Sequence, residues 1–255
     1  MTNLIRAEIF KLYRNKTFWV LIVSIAGFST LLHLLIIMDW WLLSGTEFDK
    51  VGLSELNALS PFTIPLFFNL IVSTLAGFYI STEFSQSGVI KNQMMSGHKR
   101  IHIFMTKFLV FSLGSLIVTI LIPLLTAIIV VILFGYGDIL TLTNLMYLGR
   151  AFSLFTLQFL CFTAIVLFIG FTTEDSGKTI LYTLLLSIVI FAIEKLITAP
   201  FIKLLYDNTF FYQFSEVFKY TLTSGEIIKS IFIGVVSLLI IMLCGVFMIN
   251  RKEIK

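Results

Sequence analysis

Six long apolar runs constrain the fold of this chain more than any other feature of its sequence. Each run holds about 20 mostly apolar residues, the length that a helix needs to cross the hydrocarbon core of a bilayer. None of them shows the period-two alternation of a membrane β-barrel strand. The sequence therefore predicts an all-α membrane protein with six transmembrane helices. The runs occupy residues 17–38, 62–80, 108–134, 152–171, 180–199 and 230–250.

The composition supports a single membrane domain. Only 13% of the 255 residues are charged, against about one-quarter in soluble domains, and the mean hydropathy is +1.01. We therefore expect residues 1–255 to form one transmembrane domain. The two cysteines, Cys161 and Cys244, lie inside apolar runs, which favours small core residues over a disulfide framework or metal ligands.

The distribution of basic residues predicts the orientation. Twelve of the 18 Lys and Arg residues fall on the side that holds both termini, and six fall on the other side. Because loops rich in Lys and Arg stay inside, both termini are predicted to be cytoplasmic. The basic residues flank the apolar runs instead of forming one patch. The pI near 9.0 thus indicates contact with anionic lipid and not with nucleic acid.

The segment between the last two runs, residues 200–229, carries eight Phe and Tyr residues. So aromatic a segment is not expected to lie free in water. We predict that it forms short extracellular helices lying in, or dipping into, the outer interface.

Two local patterns resemble sites of catalysis or metal binding but are incomplete. Ser176-Gly177-Lys178-Thr179 resembles the end of a phosphate-binding loop, yet the position of the first glycine is Thr172. His98 and His102 are four residues apart, with no third ligand nearby, which favours a solvated basic helix. We expect no catalytic, cofactor or metal site in this chain.

Three polar residues inside the apolar runs are candidates for a transport pathway: His33, Asn69 and Gln158. Polar side chains are costly in a membrane and often line a pathway. The alternative interpretation is an interface between packed helices.

The loop between the second and third runs is polar and basic, yet it contains four apolar residues, Val89, Ile90, Met94 and Met95. Ile90 and Met94 would share one face of a short helix. Such a helix suits docking into a groove of a soluble partner. The alternative is a helix lying on anionic lipid headgroups.

This loop resembles the first cytoplasmic loop of bacterial type-2 ABC exporter permeases, which forms the coupling helix that sits in a cleft of the ATPase subunit. One departure is Gly97, where relatives often have proline. Residues 4–14 resemble the interfacial amphipathic helix at the N-terminus of that family, and the shorter loop with Glu174, Asp175 and Lys178 resembles its second coupling loop. The resemblance implies contact with the ATPase by Glu83, Gly88, Val89, Ile90, Lys91, Met94, Gly97 and Arg100.

The resemblance also implies partners and a substrate. ATP and Mg²⁺ would bind a separate ATPase subunit, and the permease would pair with a second copy or a paralogue in the bacterial cell membrane. The chain is most similar to short permeases that export amphipathic peptides. Examples are bacitracin and lantibiotic immunity permeases and the staphylococcal exporter of phenol-soluble modulins. Such permeases serve toxin export or resistance to antimicrobial peptides. The alternatives are a sensor or scaffold that transports nothing, and a permease for a drug or a lipid.

Overall fold

The computed structural model describes residues 2–41, 43–85, 89–196 and 200–251. Every regular element in these ranges is a helix.

The first two helices are joined by a single residue. Helix α1 (Thr2–Arg14) is amphipathic, and helix α2 (Lys16–Ile37) forms span 1. Between them, the side-chain oxygen of Asn15 accepts a hydrogen bond from the backbone N–H of Phe18 at 3.2 Å, which caps the start of α2. One capping residue thus separates α1 from span 1.

Span 2 is bent by 55° at the junction between residues 63 and 65. Pro65 lacks a backbone N–H, and the residue before a proline avoids the helical region. Ile64 is accordingly extended, with φ −82° and ψ 126°. The short helix α3 (Glu47–Lys50) precedes this span. The span itself comprises a 3₁₀ turn (Ser54–Leu59), α4 (Ser60–Thr63), α5 (Pro65–Ala76) and a π-helical turn (Gly77–Ser81), and α6 (Thr82–Ser85) follows it.

Spans 3 to 6 and the short helices between them follow span 2 along the chain. Helix α7 (Val89–Met95) connects span 2 to span 3. Span 3 comprises α8 (Arg100–Leu116), a π-helical turn (Ile117–Leu121) and α9 (Ile122–Leu133), and the turn accommodates Pro123, as expected for a proline within a span. A 3₁₀ turn (Gly137–Ile139) follows span 3. The later helices are α10 (Leu142–Thr173, span 4), α11 (Ser176–Leu196, span 5), α12 (Pro200–Asp207), α13 (Phe210–Glu216) and α14 (Ser224–Arg251, span 6).

These elements confirm the predicted all-α membrane fold. Five helices are long and apolar enough to cross a membrane, and the bent pair of segments makes a sixth when the pair is counted as one span. Most spans extend beyond their apolar runs. Span 3, for example, begins at Arg100, although the apolar run begins at residue 108, because polar turns continue a helix beyond the lipid core.

The bundle has two distinct ends. The end that carries α1, α7, the turn between spans 4 and 5 and the end of span 6 is called the α1 end. The end that carries α3, α12 and α13 is called the α13 end. Span 4 is the most buried span, and spans 2, 3, 5 and 6 pack around it.

Span 6 packs closely on spans 3 and 4 through two glycines. A Cβ atom on Gly245 would lie 2.4 Å from the Phe104 ring, and one on Gly234 would lie 2.7 Å from Leu157. Small residues let membrane helices approach in this way.

Candidate functional site at the α1 end

The short helix predicted between spans 2 and 3 is present as α7. It ends where the backbone N–H groups of Ser96 and Gly97 bond to the carbonyls of Asn92 and Met94, both at 3.0 Å. Gly97 has φ +88°, a left-handed conformation that glycine adopts without steric cost. Gly88, one of the residues implied to contact the ATPase, lies outside the described residues.

The side chains of α7 divide between the bundle and the exterior. Met94 is partly buried and packs against the hydrophobic core of the bundle, and Gln93 also turns inward. Asn92 is exposed, and Met95 is 71% exposed. The sequence predicts Met94 on the docking face, whereas in the structure Met95 is the methionine that points outward. Val89, Ile90 and Lys91 form the first turn of the helix.

Two of the residues predicted to contact the ATPase, Glu83 and Arg100, form ion pairs or hydrogen bonds with other residues of this chain. Glu83 is 8% exposed and forms ion pairs with Lys107 and with Lys11, the latter at 3.2 Å. Arg100 donates hydrogen bonds to the backbone carbonyls of Ile249 and Asn250, both at 3.1 Å, at the end of span 6. These side chains therefore fix the elements beside α7. Their contact with an ATPase stays a prediction.

Glu83 belongs to a group of four charged side chains, which we call the charge cluster: Glu8, Lys11, Glu83 and Lys107. The Glu8 carboxylate lies 2.7 Å from the Lys11 ammonium and 3.0 Å from the Lys107 ammonium. The Lys107 side chain is fully buried. Two acids thus face two bases, and the cluster has no net charge. It joins α1, the end of span 2 and the start of span 3.

Two neutral side chains complete the surroundings of Glu8. The Tyr79 hydroxyl donates to Oε2 at 2.9 Å, and the Gln93 amide donates to Oε1 at 3.0 Å. The Lys107 ammonium also lies 5.7 Å from the centre of the Tyr79 ring, within the range of a cation–π contact. Through Gln93, the charge cluster is connected to α7.

The cluster keeps Glu8 ionised. Burial disfavours the charged carboxylate, but the positive charges of Lys107 and Lys11 and the hydrogen bonds outweigh it and lower the pKa of Glu8 to about 2. Burial likewise lowers the pKa of Lys11, yet the carboxylates of Glu83 and Glu8 outweigh burial and raise it. At neutral pH both side chains therefore carry charge.

In the sequence alone, Glu8 and Lys107 are two charges that lie outside the apolar runs. A signal for their role was present in the pattern. Glu8 lies four residues after Leu4 and four before Leu12, and all three are buried on one face of α1. Lys107 follows Ile103 at the same spacing, in an apolar stretch. A charge on the apolar face of an amphipathic helix predicts a buried partner of opposite sign.

The second predicted coupling loop lies at the same end of the bundle. Glu174 ends α10 in a left-handed conformation, with φ 54°. The Asp175 carboxylate accepts from the backbone N–H of Lys178 at 2.8 Å and so caps the start of span 5. The side chain of Lys178 is exposed. The serine of the Ser-Gly-Lys-Thr pattern, Ser176, donates to the carbonyl of Gly77 at 2.7 Å, which ties this loop to span 2.

The three predicted pathway residues are fully buried within the bundle. Asn69 donates to the carbonyl of Thr183 at 2.6 Å and thereby joins spans 2 and 5. Gln158 donates to the carbonyl of Ser230 at 2.9 Å and joins spans 4 and 6. His33 Nδ1 lies 2.7 Å from the Ser29 carbonyl in its own helix. Asn69 and Gln158 lie at helix interfaces, and the role of all three in a pathway stays a prediction.

A cavity of about 440 Å³ opens at the α13 end. It lies between the bend of span 2, the end of span 5 and helix α13. Its lining is mainly apolar and aromatic, with a few charged side chains, and includes Phe48, Ile64, Ile190, Phe191, Glu194 and Phe211. Both the volume and the mixed lining are typical of a site for an amphipathic molecule.

Six candidate spans, a short helix exposed at one end and a cavity at the other make up a polytopic membrane protein. The family described as ABC-2 family transporter protein matches residues 4–194, about three quarters of the chain. The chain belongs to this family and is a membrane permease component of an ABC transporter. Membership makes it a transport subunit and implies an ABC ATPase partner and a paired permease. Comparison with curated proteins gave no match.

Proposed function

We propose that the chain is the permease subunit of an ATP-driven exporter of amphipathic peptides. Residues 1–255 form a single permease domain in the cell membrane, with both termini cytoplasmic. A second permease copy pairs with it. A separate ATPase subunit docks at the α1 end, against α7 and the loop that contains Glu174, Asp175 and Lys178.

The position and faces of α7 support this proposal most directly. A helix of seven residues is too short to be stable in water without packing. Its inner face supplies that packing through Gln93 and Met94, and its outer face remains exposed at Asn92 and Met95. A short helix that is fixed on one face and exposed on the other suits a groove on a soluble partner.

Replacement of Met95 by Asp tests the docking of the ATPase. A charge buried against an apolar groove costs several kcal/mol, and each 1.4 kcal/mol lowers an affinity tenfold. Met95→Asp is therefore expected to abolish co-purification of the ATPase. Met146→Asp is the matched control, because Met146 is 68% exposed and lies in α10 at the α13 end. Normal retention and activity of the ATPase with Met95→Asp would contradict docking at α7.

ATP hydrolysis is assigned to the partner. The Ser-Gly-Lys-Thr segment is the capped start of span 5, and its sequence lacks the first glycine of a phosphate-binding loop. The purified chain is expected to hydrolyse no ATP, and Lys178→Ala is expected to leave nucleotide affinity of the complex unchanged. ATP binding by the isolated chain would contradict this assignment.

The cavity at the α13 end supports an amphipathic substrate. Aromatic rings and aliphatic side chains line much of it, and Glu194 and other charged groups lie among them. Phe191 lines this cavity, whereas Phe232 is exposed on span 6 away from it. If an amphipathic peptide passes here, Phe191→Ala will weaken stimulation of the ATPase by peptide, and Phe232→Ala will not. Equal effects of the two variants would argue against transport through this cavity.

The orientation is tested by accessibility in intact cells. Cysteines placed at Asp49 and Asn208 are expected to react with an impermeant thiol reagent, and one at Ser96 is expected to be protected. Labelling at Ser96 under these conditions would reverse the orientation.

A further inference from the structure

We propose that Glu8 is a positioning residue that fixes α7 to the N-terminal helix α1 through the Gln93 side chain. The proposal rests on the proposed function, in which α7 is the surface that the ATPase contacts. Gln93 is the donor and Glu8 the acceptor, and their bond gives a movement of α7 a second route to the spans.

Helix α7 is attached to α1 by a side-chain hydrogen bond. Gln93 Nε2 donates to Glu8 Oε1 at 3.0 Å, across 85 positions of sequence. Among the side-chain hydrogen bonds that the structure describes for α7, this one reaches another helix. The Ser96 hydroxyl, by comparison, bonds to the Gln93 carbonyl within the same segment. The amide of Gln93 therefore attaches α7 directly to α1.

The Glu8 carboxylate, which accepts this bond, is held rigidly. Each oxygen of Glu8 receives two donors: Lys11 at 2.7 Å and Gln93 at 3.0 Å on Oε1, and Tyr79 at 2.9 Å and Lys107 at 3.0 Å on Oε2. A carboxylate held in this way cannot rotate without loss of several charge-assisted bonds. Gln93 thus binds a fixed point and not a mobile side chain.

The bond between Gln93 and Glu8 determines which spans a movement of α7 reaches. Helix α7 is joined along the chain to spans 2 and 3. Glu8, however, belongs to α1, which is followed by one residue and then by span 1. The Gln93–Glu8 bond consequently adds span 1 to the spans that follow a displacement of α7.

A series of substitutions at Gln93 tests this bond. Met, Lys and Glu are all good helix formers of similar length, so a purely structural effect on α7 would be alike in the three variants. The bond predicts a different order. Gln93→Lys keeps a donor for Glu8, and because position 93 is only partly buried its added charge stays partly solvated, so this variant should preserve the attachment. Gln93→Met removes the donor, and Gln93→Glu places a second carboxylate against Glu8.

The first measurement is the distance between α1 and α7 in the purified permease alone. Nitroxide labels at Ala7→Cys and Met95→Cys occupy exposed positions, in a Cys244→Ser background because Cys161 is buried. The parent and Gln93→Lys should give a narrow distance distribution, and Gln93→Met and Gln93→Glu should give a broad or shifted one. Distributions that do not differ between Gln93→Met and Gln93→Lys would overturn the proposal.

The second measurement is ATP hydrolysis by the complex. A hydrogen bond to a charged group corresponds to roughly a tenfold change in an equilibrium, so Gln93→Met should lower the stimulation of hydrolysis by peptide about tenfold. Stimulation should survive in Gln93→Lys. Stimulation that is equally reduced in Gln93→Lys and Gln93→Met would contradict a role for the bond to Glu8.

The two measurements separate failure of this proposal from failure of the proposed function. The label distances need no ATPase and report on the link alone. If no ATPase co-purifies with the unmodified permease, the proposed function fails whatever the distances are. If the ATPase co-purifies and the Gln93 variants behave alike, only the role of Glu8 is refuted.

Discussion

The two ends of the bundle are held together by different physical means. At the α1 end, the charge cluster of Glu8, Lys11, Glu83 and Lys107 joins three elements through buried ion pairs. At the α13 end, α13 is joined to spans 2 and 4 by what we call the aromatic cluster. It comprises Phe68, Phe155, Phe159, Phe214 and Phe218.

The geometry of the aromatic cluster is that of closely packed rings. The centres of Phe68 and Phe214 are 5.0 Å apart, and those of Phe155 and Phe214 are 5.3 Å apart. These distances are typical of edge-to-face and tilted pairs, which add about 0.5–1.5 kcal/mol each beyond burial. Such contacts are numerous and weakly directional. Loss of one ring therefore lowers the stability of the α13 end only in part.

The charge cluster responds differently to loss of a member. Each side chain has specific partners, and removal of one leaves a buried charge without compensation. A directional connection of this kind suits the end where we propose that the ATPase docks. A graded apolar connection suits the end with the cavity, where we propose that a peptide binds.

The largest expected effect is that of Lys107→Met at the α1 end. The substitution leaves Glu8 and Glu83 with only Lys11, and breaking a buried ion pair in this way costs about 3–5 kcal/mol. The thermal unfolding midpoint in detergent should fall sharply. The double variant Lys107→Met/Glu83→Gln restores charge balance and should recover part of the loss. A double variant less stable than Lys107→Met would refute the electrostatic explanation.

An intermediate effect is expected for Phe214→Leu in the aromatic cluster. Leucine keeps most of the apolar volume and loses the ring contacts with Phe68 and Phe155. At about 0.5–1.5 kcal/mol for each contact, the cost should be about 1–3 kcal/mol. The same unfolding measurement should show a small decrease in the midpoint. A loss as large as that of Lys107→Met would remove the contrast between the two ends.

The smallest effect is expected for Lys50→Ala in α3. The Lys50 ammonium lies 2.7 Å from the Glu47 carboxylate, but the side chain of Lys50 is 61% exposed. Exposed ion pairs contribute about 0–1 kcal/mol, and salt screens them. The midpoint should not change measurably. A marked decrease would mean that ion pairs also stabilise the α13 end.

The sequence predicts the spans better than it predicts the contacts between them. Six apolar runs of lipid length specify six helices, because the hydrocarbon core demands that length whatever the neighbours are. The short helix α7 was also predictable, from Ile90 and Met94 at helical spacing. The bend of span 2 was not predictable from hydrophobic periodicity. It depends on the extended conformation of Ile64 before Pro65, which periodicity does not reveal.

The charge cluster shows why the candidate site was only partly predictable. Glu83 and Lys107 are 24 positions apart, and Glu8 is 99 positions from Lys107. Pairing over such separations depends on how the helices pack, which a pattern within one helix does not specify. The position of Glu8 on the apolar face of α1 indicates that it has a buried partner, but not which one. The outward face of α7 depended likewise on the packing of Met94.

Site-specific photo-crosslinking tests docking of the ATPase at α7 most directly. A photoreactive amino acid replaces Met95 on the outer face of α7, and in a second variant it replaces Met146 at the α13 end, where a methionine is similarly exposed. Irradiation of the purified, ATP-hydrolysing complex is expected to join the ATPase to the residue at position 95 and not to the one at position 146. A complex that hydrolyses ATP but gives no cross-link from position 95, or gives one only from position 146, would contradict docking at α7.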